Sequence, residues 1–296
     1  MLTVETIDAL RGELRRLRED ARVLGGGRVA LVPTMGFLHD GHLALVDEAR
    51  RHADVVAMSI FVNPLQFAPT EDLARYPRDP GGDATKAADR GVDLLFTPSV
   101  AEMYPRESRV HVVPGALAGR WEGEVRPGHF AGVLTVVAKL FHLFAPDVAV
   151  FGQKDVQQAT LVRAMVRDLD MPLEMVIAPT VREADGLALS SRNVYLDADD
   201  RRRARVIPRA LAAVEAEYAR GERDARALLA AAHAQLAEEP AVRPDYLALA
   251  DGETLEPVEV AADGAVAMIA ARVGRTRLLD NAILGVSPRI PVGDAA

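Results

Sequence analysis

Short apolar runs rich in β-branched residues alternate with amphipathic stretches through the first two-thirds of the chain. Runs at 28–32, 54–62, 92–96, 147–151 and 173–178 read as strands, and 41–52, 83–90, 132–144 and 156–168 read as helices. Strand and helix in alternation predict an α/β fold: a Rossmann-like parallel sheet with helices on both faces. Ligands of such sheets bind beyond the carboxyl ends of the strands, which points to the segments after Val32, Val62, Phe151 and Ala178. The pattern then changes. Residues 199–237 are rich in alanine, arginine and glutamate at helical period, and strand-like runs follow at 246–250, 265–271 and 276–281. Helices followed by strands predict a smaller C-terminal α+β domain. We place the boundary near Thr180, giving domains at 1–180 and 181–296.

Composition narrows the function. A chain of 296 residues suits two domains, and 49% hydrophobic with 26% charged residues is an ordinary globular balance. With no cysteine, thiolate catalysis, disulfides and cysteine-ligated metals are excluded. The net charge of −8 lacks the basic excess of a nucleic-acid binder. The run of arginines at 201–205 follows Asp197, Asp199 and Asp200, as at the solvated start of a helix. The opening residues mix acids and bases without an apolar signal core, and the longest apolar stretch, 132–145, carries Lys139 and His142. The expectation is a cytoplasmic chain that engages neither membrane nor nucleic acid. The glycines at 25–27 precede the first strand, so they are no dinucleotide fingerprint, and no Walker phosphate loop occurs. An acidic protein that held a triphosphate would need a local cluster of cations and amide donors.

The strand ends supply candidates for that cluster. Pro33-Thr34-Met35-Gly36-Phe37-Leu38-His39-Asp40-Gly41-His42 joins a strand to a helix, with His39 and His42 sharing one face of the first turn. A helix amino terminus offers free amides to an anion, and Gly41 leaves room for a ligand's close approach. In Ser59-Ile60-Phe61-Val62-Asn63-Pro64-Leu65-Gln66-Phe67 a proline enforces a turn beside two amides, which can both donate and accept. In Phe151-Gly152-Gln153-Lys154-Asp155-Val156-Gln157-Gln158 a lysine precedes an amide one turn along. Taken alone, the second string is an ordinary turn and Lys154 an ordinary solvated cation. The same holds for Pro179-Thr180-Val181-Arg182-Glu183-Ala184-Asp185-Gly186-Leu187-Ala188-Leu189-Ser190-Ser191-Arg192-Asn193, which taken alone is a polar loop able to wrap a polyphosphate.

The first of these strings resembles the H-x-G-H signature of the nucleotidyltransferase superfamily. Together, in order, the strings resemble the pantothenate synthetase (pantoate–β-alanine ligase) family from Leu31 to Leu196, with a weaker echo at 273–281. The family loop is also matched at 72–78, and Arg126-Pro127-Gly128-His129-Phe130 matches a family string assigned to the substrate pocket. Gln153, Leu189 and Phe37 depart from the family's usual residues. Gly81-Gly82-Asp83 is poorer in acids than its counterpart, which weakens any claim for a protein-ligated ion there.

The resemblance implies ATP-dependent condensation of pantoate with β-alanine through a pantoyl-adenylate, in pantothenate biosynthesis. It implies catalytic roles for His39, His42, Lys154 and Arg192. It implies ATP contacts from Met35, Gly36, His39, Gly41, His42, Gly152, Lys154, Asp155, Val181, Leu189, Ser190, Ser191 and Arg192. Asn63, Gln66 and Gln158 are implied to bind pantoate or β-alanine, with Mg²⁺ held by the ATP phosphates and by no protein ligand. A homodimer and a C-terminal lid are implied too, with residues 186–193 as the closing segment. All of this requires imidazoles, an ammonium and a guanidinium from separate segments to serve one triphosphate. The alternatives are another H-x-G-H nucleotidyltransferase that releases a stable nucleotidyl product, and a non-catalytic nucleotide-binding relative.

Overall fold

The structure is a computed structural model that describes residues 1–69, 71–286 and 290. The chain divides into two compact units: residues 1–152 with 158–179, and residues 153–157 with 180–296.

The first unit is built on six strands: β1 (Leu2–Val4), β2 (Val29–Thr34), β3 (Val55–Ile60), β4 (Leu94–Phe96), β5 (Val148–Gly152) and β6 (Glu174–Ala178). They pair in the order β1-β4-β3-β2-β5-β6, every pair parallel. The helices are α1 (Ile7–Val23), α2 (Asp40–His52), α3 (Pro80–Asp89), α4 (Val100–Met103), α5 (Glu122–Val125), α6 (His129–Phe144) and α7 (Val156–Asp168, which begins in the other unit). Side chains of β2 alternate between two cores. Val29 and Leu31 pack with α1 and α6, whereas Ala30 and Val32 pack with Leu45, Val46 and Ala49 of α2. A strand buried on both faces therefore reads as a continuous apolar run.

The chain runs outward from β2 through β3 to β4, then returns to the other side of β2 to lay down β5 and β6. The order reverses between β2 and β5, the place where such sheets bind ligands. Pairing of β2 with β5 covers only Ala30↔Val148 and Leu31↔Ala149, whereas β2 stays paired with β3 as far as Thr34↔Ile60. The sheet thus opens at the carboxyl end of β2.

The expected helices are present: α7 has the bounds expected, whereas α2, α3 and α6 start earlier than expected, at residues 40, 80 and 129. Asp79 caps α3 ahead of Pro80, its Oδ1 accepting from the Gly82 amide at 3.1 Å, so the helix begins before residue 83. At α6, Gly128 at φ 82° turns the chain so that the helix begins at His129. β1 escapes the apolar pattern because it is a three-residue, largely exposed edge strand.

The second unit carries α8 (Ala198–Ala204), α9 (Val206–Ala219) and α10 (Ala225–Leu236), followed by an antiparallel sheet in the order β7 (Val242–Ala250), β8 (Val266–Val273), β9 (Thr276–Ile283). Its core joins Ile207, Leu211 and Val214 of α9, Leu228 and Ala232 of α10, and Ala267, Ile269 and Ala271 of β8. Asp197 caps α8, and the arginines fill its last turn: Arg202 is exposed, as a solvated run requires, whereas Arg201 departs from that expectation and is partly buried against Glu183 and Asp185. Among the described residues, no helix is long and apolar enough to cross a membrane.

Candidate active site

The segment after β2 is held by its own geometry. Gly36 lies at φ 83°, and a Cβ there would fall 2.8 Å from Ile60 Cγ2 and 2.9 Å from Asp83 Oδ2, so only glycine fits. Phe37 follows at φ 52°, an uncommon conformation for an aromatic residue. The Thr34 hydroxyl donates to the Ser59 carbonyl at 2.8 Å and accepts from the Gly36 amide at 3.3 Å. His39 is the N-cap of α2, and its ring lies over that of His42 with centroids 4.0 Å apart. The shared first-turn face expected from their spacing is thus present. The His39 amide donates to His42 Nδ1 at 3.4 Å. An accepting Nδ1 puts the proton of a neutral His42 on Nε2.

The turn after β3 lies against this segment. Gln66 Nε2 donates to Met35 Sδ at 3.1 Å. Asn63 is only 1% exposed, and its amide is committed to the protein. It donates to Gln66 Oε1 and to the Gly132 carbonyl, both at 3.1 Å, and accepts from the Leu65 amide at 3.3 Å and the Tyr104 hydroxyl at 2.9 Å. The Asn-Pro turn and the orientation of the Gln66 side chain therefore share one cause.

The matched string at 126–130 braces the same turn from below. His129 Nδ1 donates to the Gln66 carbonyl at 2.8 Å, so its Nε2 accepts from Arg126 at 3.0 Å. Arg126 also grips Glu71 through two bonds, at 2.5 and 3.0 Å. Burial, reinforced by the Arg126 charge, pushes the His129 pKa down to about 4, so the ring is neutral. Burial raises the Glu71 pKa, but the hydrogen bond and charge of Arg126 outweigh it and hold the carboxylate below its usual range. Sequence reasoning put this string at the substrate pocket without its specific task. Gln158 is half-buried on the first turns of α7.

In the second unit the residues 153–155 form a 3-10 turn fastened to β9. Asn281, 1% exposed, donates to the carbonyls of Gln153 at 3.0 Å and Lys154 at 2.9 Å, and accepts from Gln153 Nε2 at 3.0 Å. The departure to Gln153 thus has a physical counterpart, since a carboxylate could not donate to Asn281 Oδ1. The only sequence signal for Asn281 was the weak echo at 273–281. Lys154 is partly buried, with its ammonium 3.6 Å from Asp155.

The segment 181–193 is a braced hairpin. The Leu189 amide donates to the Val181 carbonyl at 3.0 Å, and the Glu183 amide to the Leu187 carbonyl at 2.9 Å. Arg182 forms a buried bidentate pair with Asp280 at 2.7 and 2.9 Å. Arg201 of α8 binds both Glu183 oxygens at 2.8 and 2.7 Å and reaches Asp185 at 2.8 Å. Glu183 in turn accepts from Asn193 at 2.9 Å, which ties the far end of the hairpin to its start. Ser190 caps the turn Ser191–Tyr195 by accepting from the Arg192 amide at 3.3 Å. These links brace the stretch that carries Ser190, Ser191 and Arg192, of which Ser191 is buried. Among the described residues, no group of three or more histidines and acids is placed to hold a metal ion.

Comparison with known proteins gives concordant results. The family model for pantoate-beta-alanine ligase matches residues 2–283. The pantothenate synthetase of Acidobacterium capsulatum is 53% identical over 294 residues, which cover 97% of this chain and 98% of that protein. The crystal structure of pantothenate synthetase from Thermus thermophilus superposes with a TM-score of 0.90 at 50% identity, covering 96% of this chain and 99% of that one. A pantoate-beta-alanine ligase from Francisella tularensis, complexed with beta-gamma ATP and beta-alanine, gives a TM-score of 0.76 at 30% identity over 96% of this chain and 97% of that one.

Proposed function

The chain belongs to the pantoate-beta-alanine ligase family, and on that premise we propose how its residues divide the work of joining pantoate to β-alanine at the expense of ATP. A carboxylate does not acylate an amine at neutral pH, because its oxygen is a poor leaving group. In the first step a pantoate carboxylate oxygen bonds to the α-phosphorus of ATP and pyrophosphate departs, giving pantoyl-adenylate. In the second the β-alanine amine bonds to the acyl carbon, the acyl–phosphate ester bond breaks, and AMP leaves with the electron pair. One amine proton is released to solvent.

The first step needs in-line placement and stabilisation of charge on phosphate oxygens. His42, through Nε2, and His39 donate to those oxygens, while Met35, Gly36 and Gly41 line the nucleotide. Lys154 supplies a point charge beside Gly152 and Asp155, and Ser190, Ser191 and Arg192 hold the polyphosphate. Val181 and Leu189 carry the hairpin edge next to the nucleotide. Gln66 and Gln158 bind pantoate, and Asn63 serves that pocket by orienting Gln66. Magnesium enters as MgATP, carried by the phosphates. Residues 186–193 form the closing element that keeps water from the adenylate. The protein works as a homodimer in the cytoplasm.

The observation that carries this reading is the close His39–His42 ring pair with Gln66 against Met35, an arrangement suited to phosphate donors beside an amide pocket. Product analysis with ATP, pantoate and β-alanine, omitting each in turn, tests it. Pantothenate and AMP are expected only from the full mixture, whereas ATP–pyrophosphate exchange should require pantoate but not β-alanine. A stable nucleotidyl product, or binding of ATP without turnover, would refute the reading.

A further inference from the structure

Helix α3 lies outside the substrate-contacting segments, yet two of its residues hold the backbone of the H-x-G-H loop. Asp83 Oδ2 accepts from the Phe37 amide at 2.8 Å, and Oδ1 accepts from the Leu38 amide at 2.7 Å. One turn along, Lys86 Nζ donates to the Leu38 carbonyl at 2.8 Å. Three backbone groups of the two residues immediately before His39 are therefore held by a single helix. The Asp83 carboxylate is 2% exposed, and each of its oxygens is engaged by an amide. It also packs where a Gly36 side chain would stand. The arrangement accounts for the left-handed turn of Phe37, whose amide and its neighbour's both aim at one anion.

We infer that Asp83, assisted by Lys86, is a positioning residue for adenylation that sets the register of His39 and His42 against the α-phosphate without touching substrate. A bare carboxylate near a triphosphate would repel it. This one spends its charge on two backbone amides, which turns an electrostatic liability into a clamp. The inference rests on the roles proposed above for His39 and His42.

The test measures pantoate-dependent ATP–pyrophosphate exchange in the full-length chain and in Asp83→Asn and Lys86→Met, with thermal unfolding recorded for each. An asparagine keeps the shape but must turn its NH₂ toward one amide, which shifts the loop. Misplacement on the ångström scale costs on the order of 10- to 100-fold in rate. Exchange by Asp83→Asn is expected to fall by that factor at saturating pantoate and MgATP. The KM for pantoate should stay within about threefold of wild type, and added magnesium should not restore the rate. Unchanged exchange would overturn the inference, and so would recovery at high magnesium, which would make Asp83 an ion ligand. Should Asp83→Asn fail to fold, Lys86→Met decides, since Lys86 is exposed and its loss spares the core. A fall of about threefold or more supports the clamp, and an unchanged rate overturns it. Absence of exchange in the wild-type chain would instead sink the functional reading itself.

Discussion

His129 donates its Nδ1 proton to the backbone carbonyl of Gln66 at 2.8 Å, so a buried neutral imidazole sets the height of the turn that presents Gln66, the amide proposed to bind pantoate. Its pKa, lowered from 6.5 to about 4, makes this contact sensitive to acid. The unfolded chain binds a proton at this residue below about pH 6.5, whereas the folded one does so only near pH 4. Stability is therefore expected to fall as pH drops through that window, by about 3 kcal/mol in total from His129. Glu71, whose folded pKa is depressed, adds its own loss at lower pH. Denaturant unfolding of His129→Gln should show a flatter dependence between pH 6.5 and pH 4. An unaltered slope would remove His129 as its source.

Asn281 acts at a comparable remove, through the carbonyls of Gln153 and Lys154. Truncation in Asn281→Ala leaves those groups without their buried partner and frees the turn that carries the lysine. An ATP KM raised several-fold, with turnover reduced about 10-fold, is expected from steady-state kinetics. Normal values for both would mean that the lysine needs no such support.

The parts legible in the sequence are those encoded over a few residues. Each strand-to-helix string marked a carboxyl end of the parallel sheet because a doubly buried strand is a continuous apolar run, and β2 and β5 are both of that kind. The His39–His42 pair followed from helical spacing alone. The task of Asp83, Arg126, Arg201 and Asn281 was not legible in the same way. Each acts on a segment that other secondary structure brings to it, across 46 residues for Asp83 and 127 for Asn281 with Lys154. No local period specifies such pairings. The three-residue strand β1 was missed for a different reason, being too short and exposed to leave an apolar signature.

Replacing His42 or Lys154 by alanine should lower turnover on the order of 10²–10³-fold, the scale of losing a donor to a charge-developing transition state. Single-turnover formation of pyrophosphate reads the step directly. Near-normal rates in either variant would take that residue out of the chemistry.

Pantoate recognition should separate from nucleotide binding. In Gln66→Ala and Gln158→Ala the pantoate KM is expected to rise well beyond the ATP KM, because the proposed pocket sets these amides against the acid rather than the phosphates. Gln66→Ala carries an additional consequence, since the buried Asn63 amide then loses one of its two acceptors. Initial-rate kinetics with each substrate varied would settle the assignment. A rise confined to the ATP KM would show the pocket to be misassigned.

The hairpin that bears Ser190, Ser191 and Arg192 offers the sharpest test of preorganisation. Arg201 neutralises Glu183 and Asp185 together, and the hydrogen bond from Arg201 is the leading cause of the lowered Glu183 pKa. In Arg201→Met both carboxylates would lose their counter-charge beside a segment proposed to hold the polyphosphate, and Asn193 would be tied to a less anchored Glu183. Two effects add: local negative charge repels MgATP, and the stretch that carries Arg192 loosens. The ATP KM is expected to rise about 10-fold or more, while the pantoate KM changes little. Because the repulsive part is electrostatic, the defect should shrink as ionic strength is raised from low salt, whereas the loosening should not. A defect wholly insensitive to salt would assign Arg201 to bracing alone, and an unchanged ATP KM would show that the hairpin keeps its shape without it.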